Sequence, residues 1–296
     1  MLRADALLRA AAERLRERAG SDARLEAELL LAHALGVART ALLGDVAFDE
    51  AARARFESLL NARVHDARPV AQLLGVRGFW DLELRVDERV LVPRPETELL
   101  LEVCFELDAA GALPDGPFAD RGTGSGALAL AAAARRAVIA VERSGEACEV
   151  ARANLAELAA GRGLLSASPG AARARASRVL LVHGSGLGML RAGSVAAVLA
   201  NPPYVRATEY AQLRREVREH EPRVALVPDD EDVAAEFRRV GAEARHALTR
   251  HGVLLMEVGA GDAPLALDSL RDAGLEALGT HRDLAGHERV VRARQR

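Results

Sequence analysis

Asn201-Pro202-Pro203-Tyr204 closes the apolar run 194–200. The run reads as a buried parallel strand, and the end of such a strand is where open α/β sheets place their chemistry. Asn201 precedes a proline, which pushes its backbone toward extended geometry, and Pro202 and Pro203 fix φ and carry no N–H. The tetrapeptide is therefore a stiff ledge offering an amide, free carbonyls and an aromatic ring. Its natural guest is a planar nitrogen whose lone pair is delocalised into a carbonyl or a ring. The Asn201 side-chain oxygen and the Pro202 carbonyl can accept both hydrogens of an NH2 group, with Tyr204 packed on its flat face. Taken alone, Asn-Pro-Pro is also ordinary turn chemistry after a strand.

A second motif upstream shifts that balance. Gly122, Gly124 and Gly126, with Thr123 and Ser125 between them, follow an apolar stretch ending at Asp120 and open an Ala/Leu helix. Glycines there let a ligand approach the backbone closely. The spacing is G-x-G-x-G and lacks the extra residue of the dinucleotide fingerprint, which weakens the case for a pyrophosphate. Glu142 stands 20 residues after Gly122 at the end of the next apolar run. A carboxylate in that place accepts hydrogen bonds from both ribose hydroxyls. Turn and acid together fit a nucleoside cofactor with little or no phosphate, and S-adenosylmethionine is the leading candidate.

The elements that must position these groups are legible around them. Residues 1–63 read as helices: Leu7, Leu8, Ala11 and Leu15 form one stripe, and a second helix over 22–35 turns Leu25, Leu29, Leu30 and Ala32 inward and stops at Gly36. A third, over 49–64, carries Phe56, Leu59 and Leu60. Alternation over 78–86 suggests a β-hairpin or extended linker. After Pro93-Arg94-Pro95-Glu96-Thr97-Glu98 a helix buries Leu99, Leu100, Val103, Cys104 and Leu107. Strands are expected at 118–120, 137–141, 179–182, 194–200 and 252–258, with a closing antiparallel pair at 275–281 and 288–293. Residues 161–177 show no periodicity and read as a surface loop. Glu257 ends the fifth strand near the site, where a structural and a catalytic role are both open.

Composition sets the outer limits. The chain has 296 residues, half of them apolar, and a formal net charge of -3, so neither disorder nor a polyanion-binding surface is indicated. All basic residues are Arg, which carries no functional content here. Cys104 and Cys148 are the only cysteines and make neither a disulfide framework nor a metal site. The eight histidines show no ligand spacing, so no metal is expected. The N-terminus lacks a signal-peptide core and no stretch approaches a membrane span; a cytoplasmic location is expected.

The chain resembles the bacterial glutamine methyltransferases that modify class I peptide-chain release factors. The likeness is carried by Val90-Leu-Val-Pro-Arg-Pro-Glu-Thr-Glu98, the glycine turn and Asn201-Pro-Pro-Tyr-Val205. Further on it is carried by Glu221-Pro-Arg-Val-Ala-Leu226, Leu254-Leu-Met-Glu-Val-Gly259 and Asp283-Leu-Ala-Gly-His-Glu-Arg-Val-Val291. Asn-Pro-Pro-Tyr alone is shared with adenine-amino methyltransferases; the Pro-Arg-Pro-Glu-Thr-Glu and Asp-Leu-Ala-Gly segments are more specific. The resemblance implies an α/β, Rossmann-like class I S-adenosylmethionine-dependent methyltransferase fold. It implies an N-terminal helical substrate-recognition domain over 1–68, a β-hairpin linker over 69–92 and the methyltransferase domain over 93–296. The cofactor is expected at Asp120, Gly122, Thr123, Gly124, Ser125, Gly126, Glu142, Ser185, Gly186 and Asn201, and catalysis at Asn201, Pro202, Pro203 and Tyr204. The expected partner is a class I release factor, with no membrane and no direct nucleic-acid binding, and the protein itself a monomer.

Four departures from the family pattern stand out. Arg121 replaces an apolar residue beside the cofactor turn. Residues 182–187 replace a Gly-Asp-aromatic motif that binds the adenine, leaving Ser185 for the acid and no ring. Residues 228–232 replace a Gly-rich segment, and 161–177 are biased in composition. A serine hydroxyl still accepts from an adenine amino group without charge assistance, a difference of about 1 kcal/mol or roughly tenfold in affinity. Two rivals follow. An adenine-amino nucleic-acid methyltransferase would share the ledge but needs a basic, aromatic-bearing surface. A non-catalytic protein would keep the fold and bind partners.

Overall fold

The computed structural model describes residues 4–44, 49–165 and 168–296. It divides into two compact units, Met1–Val76 with Arg214–His220, and Arg77–Leu213 with Glu221–Arg296. Among the described residues no helix is long and apolar enough to cross a membrane.

The first unit contains α1 (Ala4–Ala19), α2 (Ala23–Leu35), α3 (Glu50–Val64) and α4 (Val70–Leu74). Asp49 caps α3 by accepting from the Ala52 N–H at 2.7 Å, and α2 ends on Gly36 with φ 68°. Leu8, Ala11 and Leu15 of α1 pack with Ala27, Leu30 and Leu31 of α2 and with Phe56 and Leu60 of α3. Contrary to the sequence expectation, Leu25 is exposed and Leu29 only half-buried, whereas Leu30 and Ala32 are buried as expected, together with Ala23, Ala27, Leu31 and Ala34. Helix α2 is apolar on most sides, so periodicity alone does not choose its face. The alanines mark where a neighbouring helix comes close. The unit also buries a cation. Arg63, 3% exposed, donates to both oxygens of Glu26 at 2.8 Å and also to Glu216.

The second unit opens with the hairpin β1 (Val76–Phe79) and β2 (Leu82–Arg85), followed by α5 (Glu98–Ala109). Then come β3 (Phe118–Arg121), α6 (Ala127–Ala132), β4 (Val138–Glu142), α7 (Gly145–Ala159), α8 (Pro169–Ala176) and β5 (Val179–His183). After β6 (Val195–Ala200) the chain forms α9 (Ala207–Tyr210) and α10 (Arg215–His220), the latter grouped with the helical unit. It closes with α11 (Val233–Ala247), β7 (Leu248–Glu257), α12 (Ala263–Asp272), β8 (Glu276–Arg282) and β9 (Glu288–Arg294).

Seven strands form one sheet in the order β5-β4-β3-β6-β7-β9-β8. The first five are parallel, and β9 runs antiparallel to both neighbours. Every residue of β6 is fully buried, as a central parallel strand covered on both faces requires. Ala197 and Leu199 join the core with Leu100, Leu101 and Leu130, whereas Val198 and Ala200 join the core with Phe237, Val240 and Leu270. This is a doubly wound α/β sheet, with its switch point between β3 and β6.

The expected loop over 161–177 differs from the structure, because it contains α8. Ser168 accepts from the Ala171 N–H, Pro169 takes the first helical position, and Ala172 and Ala176 are buried. A Ser-Pro start is a helix signal, and two buried alanines are too few to raise a periodic pattern. Residues 166 and 167 lie outside the described residues.

Removing the Arg63 cation would leave the largely buried Glu26 without its ion-pair partner and Glu216 with Arg214 alone. Arg63→Ala is therefore expected to lower the free energy of unfolding by about 3 kcal/mol or more in chemical denaturation. The double variant with Glu26→Ala should be less damaging than the sum of the two single changes. Strict additivity would mean that Arg63 and Glu26 do not act as a pair.

Candidate active site

The glycine turn is built where β3 gives way to α6. Gly122, Gly124 and Gly126 have φ values of 76°, 56° and 88°, in the region L side chains rarely adopt. A Cβ built on Gly122 or Gly124 would meet nothing within 4 Å, so open space lies directly over the backbone. Asp120 is fully buried behind the turn and braces it, accepting from the Thr123 hydroxyl at 2.6 Å and the Ala129 N–H at 3.0 Å. Burial pushes its carboxyl up to about 7, although these two donors work against the rise.

Glu142 ends β4 with its carboxylate clamped by two backbone groups. Oε2 accepts from the Gly124 N–H at 2.9 Å and Oε1 from the Ser144 N–H at 2.8 Å. Each oxygen retains a further lone pair for a hydroxyl. An open glycine cradle and a fixed acceptor-only group therefore line the same cleft, which suits a ribose-bearing ligand.

The third wall comes from the end of β5. The Gly184 N–H donates to the Glu142 carbonyl at 2.8 Å, and Ser185 and Gly186 line the cleft. A Cβ on Gly186, whose φ is 76°, would sit 2.3 Å from a carboxylate oxygen of Glu243, so a larger residue there would be strained and would displace that side chain. The same carboxylate accepts from the Leu187 N–H at 3.0 Å.

Glu243 also explains Arg121. That guanidinium donates to Glu243 at 3.0 and 3.2 Å and to Glu236 at 2.7 Å, and Arg239 pairs with Glu236 as well. The charge beside the turn is thus neutralised by two acids on α11, which sequence reasoning missed. A signal existed, since Glu236 and Glu243 are seven residues apart on the face of α11 that buries Val233, Phe237 and Val240. The segment 228–232 has structural tasks too. Asp229 pairs with Arg143, and Asp232 caps α11 by accepting from the Ala234 and Ala235 N–H groups.

The ledge adjoins this cradle because β3 and β6 pair in parallel with Arg121 opposite Ala200. Gly122 and Asn201 are the next residues of each strand. Asn201, Pro202 and Pro203 line the cleft, as do Arg94 and Thr97 of the segment before α5. Arg94 reaches both oxygens of the buried Glu221, at 2.6 and 2.7 Å. The Asn201 Nδ2 donates to the Thr97 hydroxyl at 3.2 Å. Tyr204 lies behind the ledge, packed on the core, with its hydroxyl donating to Glu257 Oε1 at 3.2 Å. Burial holds this phenol far above its usual range, so it is a donor at every physiological pH.

One cleft thus gathers Gly122, Thr123, Gly124, Ser125, Glu142, Ser185, Gly186, Asn201, Pro202 and Pro203. Asp120, Gly126 and Tyr204 stand behind its walls and do not line it.

Asp120 makes stability depend on pH in a defined direction. Its carboxyl holds its proton more tightly in the folded protein than in the unfolded chain, where the pKa is about 3.9. Stability is therefore lost as pH rises from about 4 through about 7. Asp120→Asn is neutral throughout. Relative to wild type, the variant is expected to gain up to ~4 kcal/mol of unfolding free energy between the acid and alkaline ends of that window. A difference that does not change with pH would contradict the assignment.

Comparisons with known proteins agree with this geometry. Residues 6–75 match the family described as PrmC N-terminal domain. A release factor glutamine methyltransferase of Nitratidesulfovibrio vulgaris is 38% identical, aligned over 98% of this chain and 94% of its own. The protein of that description from Cereibacter sphaeroides is 37% identical over 99% of both chains. That of Escherichia coli K12 is 32% identical over 93% of this chain and 94% of its own. With that identity over nearly the whole length and the site geometry described above, the chain belongs to the release factor glutamine methyltransferase family.

Proposed function

We propose that the protein transfers a methyl group from S-adenosylmethionine to the side-chain amide nitrogen of a glutamine in a class I peptide-chain release factor. The observation that carries this is the juxtaposition, across the β3–β6 pair, of an open glycine cradle with a rigid Asn-Pro-Pro ledge. S-adenosylmethionine, when bound, supplies an electrophilic methyl on a sulfonium. Gly122 and Gly124 admit a ligand against their backbone, and Glu142 holds its ribose. Ser185 lies on the wall where the adenine is expected, with the positive charge of Arg121 beside the turn offset by Glu236 and Glu243.

An amide nitrogen is a poor nucleophile because its lone pair is shared with the carbonyl. The chain must therefore orient it and favour the positive charge that grows on it. The Asn201 Oδ1 and the Pro202 carbonyl are two acceptors on a fixed backbone, placed to take both N–H groups of the substrate amide. That arrangement aligns the nitrogen lone pair and strengthens as charge develops. Transfer is direct, with no covalent intermediate on the protein.

The finer partner assignments rest on composition. A net charge of -3 and an aromatic content of 3% support a protein substrate with no nucleic-acid clamp. Two buried free thiols suit a reducing cytoplasm. The helical unit supplies a second surface for a folded substrate, and a monomer suffices because the cleft is completed within one chain.

Two substitutions separate binding from transfer. Glu142→Ala is expected to weaken cofactor binding by about 1–3 kcal/mol in calorimetry, since a charged acceptor of two hydroxyls is lost. Asn201→Ala, at a residue expected in both sets, should weaken cofactor binding far less than it slows methyl transfer to an intact release factor, which should fall roughly 10²-fold or more. Equal losses of affinity in both variants would place the acceptor ledge inside the cofactor site.

A further inference from the structure

A nucleoside cofactor with its ribose on Glu142 has to place its base, and the sheet decides where. Glu142 lies opposite His183 in the β4–β5 pair, so the wall beyond the ribose is the chain leaving β5, Gly184-Ser185-Gly186. That wall offers a base little of its own. The two glycines have no side chain, and Ser185 carries one neutral hydroxyl.

The missing side chain arrives from α11. All three carboxylate atoms of Glu243 occupy the space that a Cβ on Gly186 would need, so another element supplies the polar group at this position. Glu243 lines the cleft and keeps 18% of its side chain exposed. Its two oxygens are unequally used. Oε2 accepts from Arg121 Nε and from the Leu187 N–H, each at 3.0 Å. Among the described residues Oε1 accepts only from an Arg121 terminal nitrogen, at a longer 3.2 Å. A carboxylate oxygen has room for two donors. Oε1 therefore has a place for one more.

The surrounding charge narrows what that donor is. The guanidinium groups of Arg121 and Arg239 balance the carboxylates of Glu236 and Glu243 within one linked cluster. A cluster with no net charge has no call for a cation, and Oε1 suits a neutral N–H donor.

We infer that Glu243 recognises the base of the cofactor, Oε1 accepting a hydrogen from the exocyclic amino group of adenine. This rests on the S-adenosylmethionine site proposed above. The departures at Arg121 and Ser185 then form one arrangement: the acid expected at the end of β5 stands on α11, and Arg121 holds Oε2 so that Oε1 is left for the ligand. Glycine at 186 leaves the carboxylate its room.

An acceptor in that place selects its ligand. Hypoxanthine carries a carbonyl where adenine carries the amino group, so two acceptors would face each other. A site built around a hydrogen bond rejects the analogue that lacks the donor.

The test needs no turnover. Calorimetry on the full chain compares S-adenosylhomocysteine with S-inosylhomocysteine, which has hypoxanthine for adenine. Wild type is expected to bind the adenosyl ligand at least about tenfold more tightly. Glu243→Gln keeps the shape of the side chain. Its one oxygen is claimed by the two donors at the Oε2 position, which turns the NH2 toward the base, so the variant should lose the preference or favour the inosyl ligand. Ser185→Ala should keep the ratio of the two affinities within about threefold of wild type, and Glu142→Ala should weaken both ligands together with the ratio kept likewise. Wild type without a preference, Glu243→Gln with the wild-type ratio, or a ratio abolished by Ser185→Ala overturns the inference. Wild-type protein that binds neither ligand overturns the cofactor reading itself, and this inference with it.

Discussion

The parallel pairing of β3 with β6 is the constraint on which the site depends. In sequence the glycine turn and the Asn-Pro-Pro ledge are 79 residues apart, and in the sheet they leave adjacent strands at the same level, with Arg121 opposite Ala200. The chain reaches that arrangement by winding outward through β4 and β5 and then returning to the other side of β3. A crevice opens where the order reverses. Slipping β6 by one residue against β3 would exchange the cores that Val198 and Leu199 fill, so the packing of both faces fixes the distance between cofactor cradle and acceptor ledge.

Around this edge the acids have different tasks set by what surrounds them. Glu142 is held by backbone donors on both oxygens and stays available as an acceptor. Asp120, fully buried, is spent on bracing the turn and inclines toward its protonated form. Glu236 and Glu243 neutralise a cation that would otherwise stand beside a cationic cofactor. Taking Arg121 out of water is costly, and the two carboxylates offset that cost, while Glu243 also fixes the 186–187 backbone by accepting from the Leu187 N–H.

Much of the fold was legible because it has local causes. Apolar runs that stop at Gly, Glu or Asn-Pro gave the parallel strands, and glycine spacing gave the turn. The inner face of α2 was misplaced at Leu25, since an all-round apolar helix offers no contrast. Helix α8 was missed for want of a long buried stripe, although Ser168-Pro169 announced its start. The site was legible only in part. Its ends could be read from motifs and the ledge's guest, a planar NH2 group, from residue chemistry, whereas the role of Ser185 and the choice of glutamine as substrate came from family resemblance. The groups that tune it pair across 104 to 122 positions, as with Thr97 and Asn201 or Arg121 and Glu243. Such pairs leave no local periodicity, and only the sheet register brings them together.

The central claim concerns which atom receives the methyl group. An intact release factor incubated with the protein and S-adenosylmethionine, then analysed by fragmentation mass spectrometry, tests it directly. The expected result is a single methyl group on the side-chain amide of one glutamine. A methyl on a lysine, arginine or carboxylate side chain, or an unmodified release factor, would contradict the account.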